Sequence, residues 1–361
     1  MNPSKWRSIP ASFFGIVLGL VGLGDCWRLG DKLWAGKPMW IFPAWISEVV
    51  MAVAALVWIV LMLAYANKWL FARAEARAEL YHPIQRCFIG LTGVSTMLIA
   101  VALERYSHDG AVALFVIGSI IQLGYGSAFT GRAWRGELPV EQVTAALYLP
   151  TVAGNLVSAF VGAYVGFPVL GALFFGAGMF AWLALESVFT LRFHVHASMP
   201  KPLRPTMGIM LAPPAIACVG YMFITGGVKT EAPMPDLFAQ AMAGYALLQF
   251  FILVRAMRWV AEQPFAASYW GYSFGVTGLS CVAIMLVKRG IASPPLEWLA
   301  VALFIVANAA IAVLIVGTVR LLLAGRLVPP SITGVVAAPV PTPAPMPTPM
   351  PAPTPRRAPA S

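Results

Sequence analysis

Apolar stretches of about 20 residues alternate along this chain with short polar turns. No charged side chain falls between Glu141 and Glu186, between Arg204 and Lys229, or between Glu262 and Lys288. Runs of that length, at about 1.5 Å of rise per helical residue, match the thickness of a bilayer core. The pattern predicts an all-α integral membrane fold with ten spans over 9–25, 41–65, 87–104, 110–130, 143–165, 168–191, 206–226, 236–257, 269–287 and 297–323. Gly166-Phe167-Pro168 divides a charge-free run of 44 residues, too long for one ordinary span, into two. Pro294-Pro295 opens the last helix, and Pro205 stands at the start of the seventh, where its missing N–H leaves no bond unmade.

Odd and even spans differ in kind. Glycine and proline collect inside the odd ones: Gly15, Gly19 and Gly22 in the first, Gly90 and Gly93 in the third, Pro150 and Gly154 in the fifth. Gly208, Pro213 and Pro214 follow in the seventh, and Gly271, Gly275 and Gly278 in the ninth. The contrast recurs once per helical hairpin, so the chain reads as five diverged hairpins. Kinked or thinned helices free backbone carbonyls, which a membrane tolerates only where protein or water surrounds them. The odd helices therefore belong inside and the even ones against lipid. Two arrangements fit that inner ring: a central conduit, or close packing of irregular helices with no lumen.

Composition narrows the class further. Apolar residues make up 60% and charged residues 11%, against about 25% charged in a soluble domain. The net charge of +10 is spread in short runs between spans, which is a topology signal and not a nucleic-acid surface. Seventeen basic residues fall on the side of the termini, from Lys5 and Arg7 to Arg356 and Arg357, and seven on the other, which predicts both termini in the cytoplasm. The apolar run Ile9 to Gly24 reads as a retained first helix. Cys26, Cys87, Cys218 and Cys281 show no metal or disulfide spacing, and no nucleotide, phosphate or zinc motif is present, so neither an enzyme nor a cofactor or metal is expected. The segment 329–361 holds 12 prolines and reads as an extended tail, either solubilising or a weak ligand for an aromatic-grooved partner.

The odd spans offer hydroxyls and one amide: Ser12, Ser95, Thr151, Asn155, Ser158, Thr206, Ser273, Thr277 and Ser280 among them. Such a face suits an anion better than a metal cation, which would want carboxylates, or a pump, which would want an acidic or histidine relay. Glu48 and Glu186 lie on even spans. Glu186 reads as a structural partner of Arg192 or another nearby base, or else as an ion-coupling group. His194 and His196 lie in a loop with no ligand set around them.

Trp270-Gly271-Tyr272-Ser273-Phe274-Gly275 resembles the ninth-helix signature of the TehA tellurite-resistance and C4-dicarboxylate transporter family, which includes the plant guard-cell slow anion channels. Pro10-Ala11-Ser12-Phe13-Phe14-Gly15-Ile16, Arg77-Ala78-Glu79-Leu80-Tyr81-His82-Pro83, Leu149-Pro150-Thr151-Val152-Ala153-Gly154-Asn155, Phe174-Phe175-Gly176-Ala177-Gly178-Met179 and Arg204-Pro205-Thr206-Met207-Gly208-Ile209 resemble it in the same order, over residues 5 to 325. The likeness is greatest to the bacterial TehA branch. The resemblance implies five quasi-symmetric hairpins around a pore, one pore per subunit of a homotrimer, and a bacterial inner-membrane location. It also implies transport of small inorganic or dicarboxylate anions, with Phe274 as the occluding residue. Phe14, Gly15, Ser95, Thr151, Asn155, Thr206, Gly271, Gly275 and Thr277 are the accompanying lining candidates. The rival within that resemblance is a proton-coupled dicarboxylate or a sulfite- or tellurite-related carrier. Without the resemblance, Phe274 reads as an ordinary packing aromatic.

Overall fold

The computed structural model of the chain describes residues 9–37, 42–136, 142–226, 233–291 and 293–328. Lys5, Arg7, Lys229 and the proline-rich segment 329–361 with Arg356 and Arg357 lie outside the described residues. Ten helical segments are long and apolar enough to cross a membrane: α1 (Ala11–Trp34), α2 (Trp45–Phe71), α3 (Gln85–Leu103), α4 (His108–Ala133), α5 (Ala145–Tyr164), α6 (Pro168–Val195), α7 (Lys201–Ile224), α8 (Leu237–Val260), α9 (Ala267–Lys288) and α10 (Pro294–Leu323). The protein is an all-α, multi-pass membrane protein.

The even spans are unbroken α-helix. The odd spans open on irregular turns, and the residues explain why. Pro150 lacks an N–H, and the helix around it widens to a π-turn over Leu149–Ala153. Pro202 and Pro205 accompany a 3₁₀ stretch over Lys201–Leu211; α9 likewise begins as a 3₁₀ turn, Ala267–Tyr272, around Gly271. Pro205 therefore sits inside its span and not at its first turn, because the 3₁₀ ladder starts at Lys201. α1 also runs nine residues past the expected end at 25, since its polar residues find partners in the bundle. Arg28 reaches Glu48 on α2 and the carbonyls of Val101 and Ala102 on α3.

Burial separates the two sets. Between 72% and 94% of the apolar window of each odd span is buried, against 22% to 33% of each even span. Leu56, Leu63, Ile120, Leu173, Phe180, Phe251 and Val313 lie exposed on the even helices, where lipid takes the place of water. α1 packs on α3, α3 on α5, α5 on α7, α7 on α9, and α9 back on α1. Each even span packs on the odd span before it.

Missing side chains set how closely the inner helices approach. A Cβ on Gly22 would collide with the Thr277 side chain, so this glycine is what lets α1 lie against α9. Gly22→Ala is expected to destabilise the protein by about 1–3 kcal/mol, read as a lowered thermal midpoint in detergent. Gly176 on the outer α6 has open space around it, and Gly176→Ala should be neutral or stabilising by up to about 1 kcal/mol. Equal midpoints for the two variants would contradict the tight α1–α9 seam.

A buried ion pair fixes the start of α1. The short helix Arg73–Tyr81 follows α2 and carries Glu79. Its carboxylate accepts from Lys68 Nζ at 2.7 Å and from the Ala11 backbone N–H at 2.7 Å, while Lys68 also donates to the Ile9 carbonyl at 3.2 Å. The Lys68 and Glu79 side chains are 1% and 0% exposed. Counted in the sequence as a loop charge, Lys68 is thus an interior one.

Candidate functional site

All odd spans run in the same direction, so their first turns gather at one end of the bundle. A cavity of about 540 Å³ opens there. Ser12 and Gly15 of α1, Gln85 of α3, Tyr148 of α5, Thr206 of α7 and Trp270 and Gly271 of α9 all contribute to its wall. Of the described residues that line it, none is a carboxylate; His82, Arg326 and the phenol Tyr148 are its ionisable members. His82 Nδ1 accepts from the backbone N–H groups of Ile84 and Gln85 at 3.2 and 3.1 Å, which caps the start of α3 and requires that nitrogen to be unprotonated. Burial, and then the neighbouring charge of Arg86, hold the His82 imidazole below its usual range.

Following each span inward, the last wall residues are Leu18, Leu91, Val157, Ile216 and Phe274. Phe274 is 8% exposed, and a Cβ on Gly22 would sit 3.5 Å from its ring. Further along the same spans lies a second, small cavity of about 40 Å³, lined by Asp25, Arg28 and Lys32 of α1, Phe160 and Tyr164 of α5, Val219 and Phe223 of α7, and Cys281 of α9. From one cavity to the other is a step of three to seven residues on α1, α5, α7 and α9. At about 1.5 Å per residue, that is a separation of about 5–10 Å.

Of the residues singled out in the sequence, Phe274, Ser12, Gly15, Thr206 and Gly271 meet at the large cavity. The others lie elsewhere. Phe14 packs edge-on against Tyr65 of α2, with ring centroids 6.0 Å apart. Ser95 donates to the Thr92 carbonyl, and Thr277 to that of Ser273. Thr151 bonds the Thr130 hydroxyl on α4 at 2.9 Å. The Asn155 amide donates to the Thr151 carbonyl, leaving its Oδ1 without a partner. The backbone at Gly275 is pressed on α7, with a Cβ there 2.7 Å from Leu211. Hydroxyls in an apolar helix return to a carbonyl of their own preceding turn, so a polar position on an odd span does not by itself mark a lumen.

Glu186 corrects another expectation. Its carboxylate is held by neutral donors and not by Arg192: Tyr148 Oη on α5, Trp182 Nε1 at 2.9 Å on its own helix, and Tyr245 Oη at 2.5 Å and Gln249 Nε2 at 3.0 Å on α8. Arg192 donates to the Ala197 carbonyl instead. Four donors on two oxygens satisfy this carboxyl group without a cation. Tyr148 thereby ties the cavity wall to the outer helices. Sequence reading missed this cage because its members are 38, 4, 59 and 63 residues from Glu186. Asp25 was also missed, because the first span was ended at that residue. Among the described residues, no three His, Cys, Asp or Glu side chains group as a metal site.

Residues 8–319 match the family described as voltage-dependent anion channel, SLAC1. The tellurite resistance protein TehA homolog of Haemophilus influenzae is 33% identical over 327 residues, covering 90% of this chain and 94% of the relative. Two Arabidopsis thaliana proteins are also similar. The S-type anion channel SLAH3 is 23% identical over 78% of this chain and 44% of its own length, and the guard cell S-type anion channel SLAC1 is 24% identical over 86% and 55%. The chain thus spans about half the length of these plant relatives.

Proposed function

The chain belongs to the voltage-dependent anion channel family, and from that premise we propose that it conducts small inorganic anions through a pore within each subunit, closed by Phe274. The observation that carries this reading is the large cavity: a wall free of carboxylates among the described residues, at the end where the odd helices begin. Helix N-termini carry partial positive charge, and the 3₁₀ and π turns there leave backbone dipoles near the wall. A cation path would want acidic side chains in the same place.

In this reading the five hairpins form a quasi-symmetric ring, the two cavities are the two vestibules of one conduit, and the plug between them is the closed gate. Residues 1–328 make up the channel, and 329–361 are a cytoplasmic tail. The excess of basic residues on the side of the termini turns the large vestibule to the cytoplasm of a bacterial inner membrane; an alkaline phosphatase fusion at the C-terminus that is active outside the cytoplasm would oppose this. The outer helices present enough apolar surface for a homotrimer, and a predominant monomer or dimer by mass in mild detergent would count against that state. Efflux of chloride or nitrate from proteoliposomes tests the function itself. The parent protein should leak slowly and the Phe274→Ala protein rapidly; no anion efflux from either, with both correctly reconstituted, would overturn the reading.

A further inference from the structure

The second vestibule contains a carboxylate that the proposed pore does not yet use. Asp25 lines it together with Arg28, Lys32, Tyr164 and Cys281, and it is the one carboxylate among the described residues that line either cavity. Of the two basic residues that line the cavity with it, Arg28 is engaged elsewhere, and Lys32 shares the cavity with Asp25. Arg28 gives Nε and Nη2 to Glu48 at 3.2 and 3.0 Å and Nη1 to the Val101 carbonyl at 2.8 Å. Glu48 is in turn shared with Arg105 and Tyr106, each at 2.8 Å. Lys288 donates to the Lys32 backbone carbonyl at 2.8 Å. On the α9 side, the Cys281 thiol lies 3.4 Å from that of Cys26. Asp25 itself makes no hydrogen bond or ion pair of its own among the described residues.

A cavity of about 40 Å³ has room for about one water molecule. An anion crossing it must therefore pass within a few ångströms of the Asp25 carboxyl, inside a membrane where charges are poorly screened. Ionised, that group repels the anion strongly. Protonated, it is neutral and offers an O–H donor. We propose that Asp25 is a proton-binding site in the anion path, and that the pore passes anions when Asp25 is protonated and resists them when it is ionised.

This inference rests on the pore reading above, and its test separates the two. The Phe274→Ala protein removes the plug, so that the second vestibule limits the current. Its anion current in planar bilayers should rise by about tenfold or more as the pH of both chambers falls from about 8 to about 4, near the ordinary midpoint of an aspartate. Adding Asp25→Asn should hold the current at the high level throughout that range. Asp25→Ser, also uncharged, makes the same prediction should the asparagine protein fold poorly.

Other titratable groups face the path or Asp25: His82 at the far mouth, Glu48 behind Arg28, Lys32, Tyr164 and Cys281. A conducting Phe274→Ala protein whose pH response survives both Asp25 substitutions would assign the response to one of these and overturn the proposal alone. A Phe274→Ala protein that conducts equally at all pH values would do the same. Silence of every variant at every pH would overturn the pore reading and this inference with it.

Discussion

Replacing Phe274 with alanine is expected to raise the anion current by about a hundredfold or more and to leave a protein that folds. The ring is the innermost residue of α9 on the large cavity, and it stands at the start of the plug. An apolar constriction forces an ion to shed water it cannot replace. Each 1.4 kcal/mol or so removed from that barrier is worth about tenfold in rate. The stability cost should fall below the roughly 3–5 kcal/mol of a fully packed Phe→Ala change, because one side of the ring already borders open space. Phe14→Ala is the matched control. Phe14 is 1% exposed and packs on Tyr65, so its loss should lower the thermal midpoint more and add no current. A Phe274→Ala protein that reconstitutes intact and stays as silent as the parent, or a Phe14→Ala protein that conducts as well, would remove the gate assignment.

The largest expected effect on stability lies at the Lys68–Glu79 pair. Glu79→Ala leaves the Lys68 ammonium buried without its counter-ion, and removes the acceptor of the Ala11 N–H. Breaking a buried pair from one side costs about 3–5 kcal/mol, which should appear as a large fall in thermal midpoint and in membrane yield. The double variant Lys68→Met, Glu79→Gln takes away both charges while glutamine still offers an oxygen to the Ala11 N–H. It should recover most of the lost stability, since a buried pair exchanged for neutral groups of like size is often close to neutral. A double variant as unstable as Glu79→Ala would show that the charges themselves, and not the capping of α1, hold this corner.

Much of the architecture was legible because the bilayer imposes it. Span lengths, the break at Gly166-Phe167-Pro168 and the inside position of the glycine- and proline-bearing helices follow from hydrogen-bond satisfaction in lipid. The break holds in the structure, with α5 ending at Tyr164 and α6 starting at Pro168. The wall of the candidate site was legible only in part. Gly15, Thr206, Gly271 and Phe274 reach the large cavity, whereas Ser95 and Thr277 satisfy their hydroxyls within their own helices. Residue type cannot separate those cases; only the rotation of each helix can. The partners of Glu186 and Glu79, and the setting of Asp25, escaped for a different reason. They are assembled from distant segments, and a charge near a span end looks alike in sequence whether it is caged, paired or left facing a cavity.

A reversal potential tests anion conduction most directly. Phe274→Ala protein in a planar bilayer, with unequal potassium chloride on the two sides and equal pH, should reverse near the chloride equilibrium potential. It should follow that potential as the gradient is changed. Reversal near the potassium potential, or at a value set by the pH difference through a fixed proton-to-substrate ratio, would contradict it.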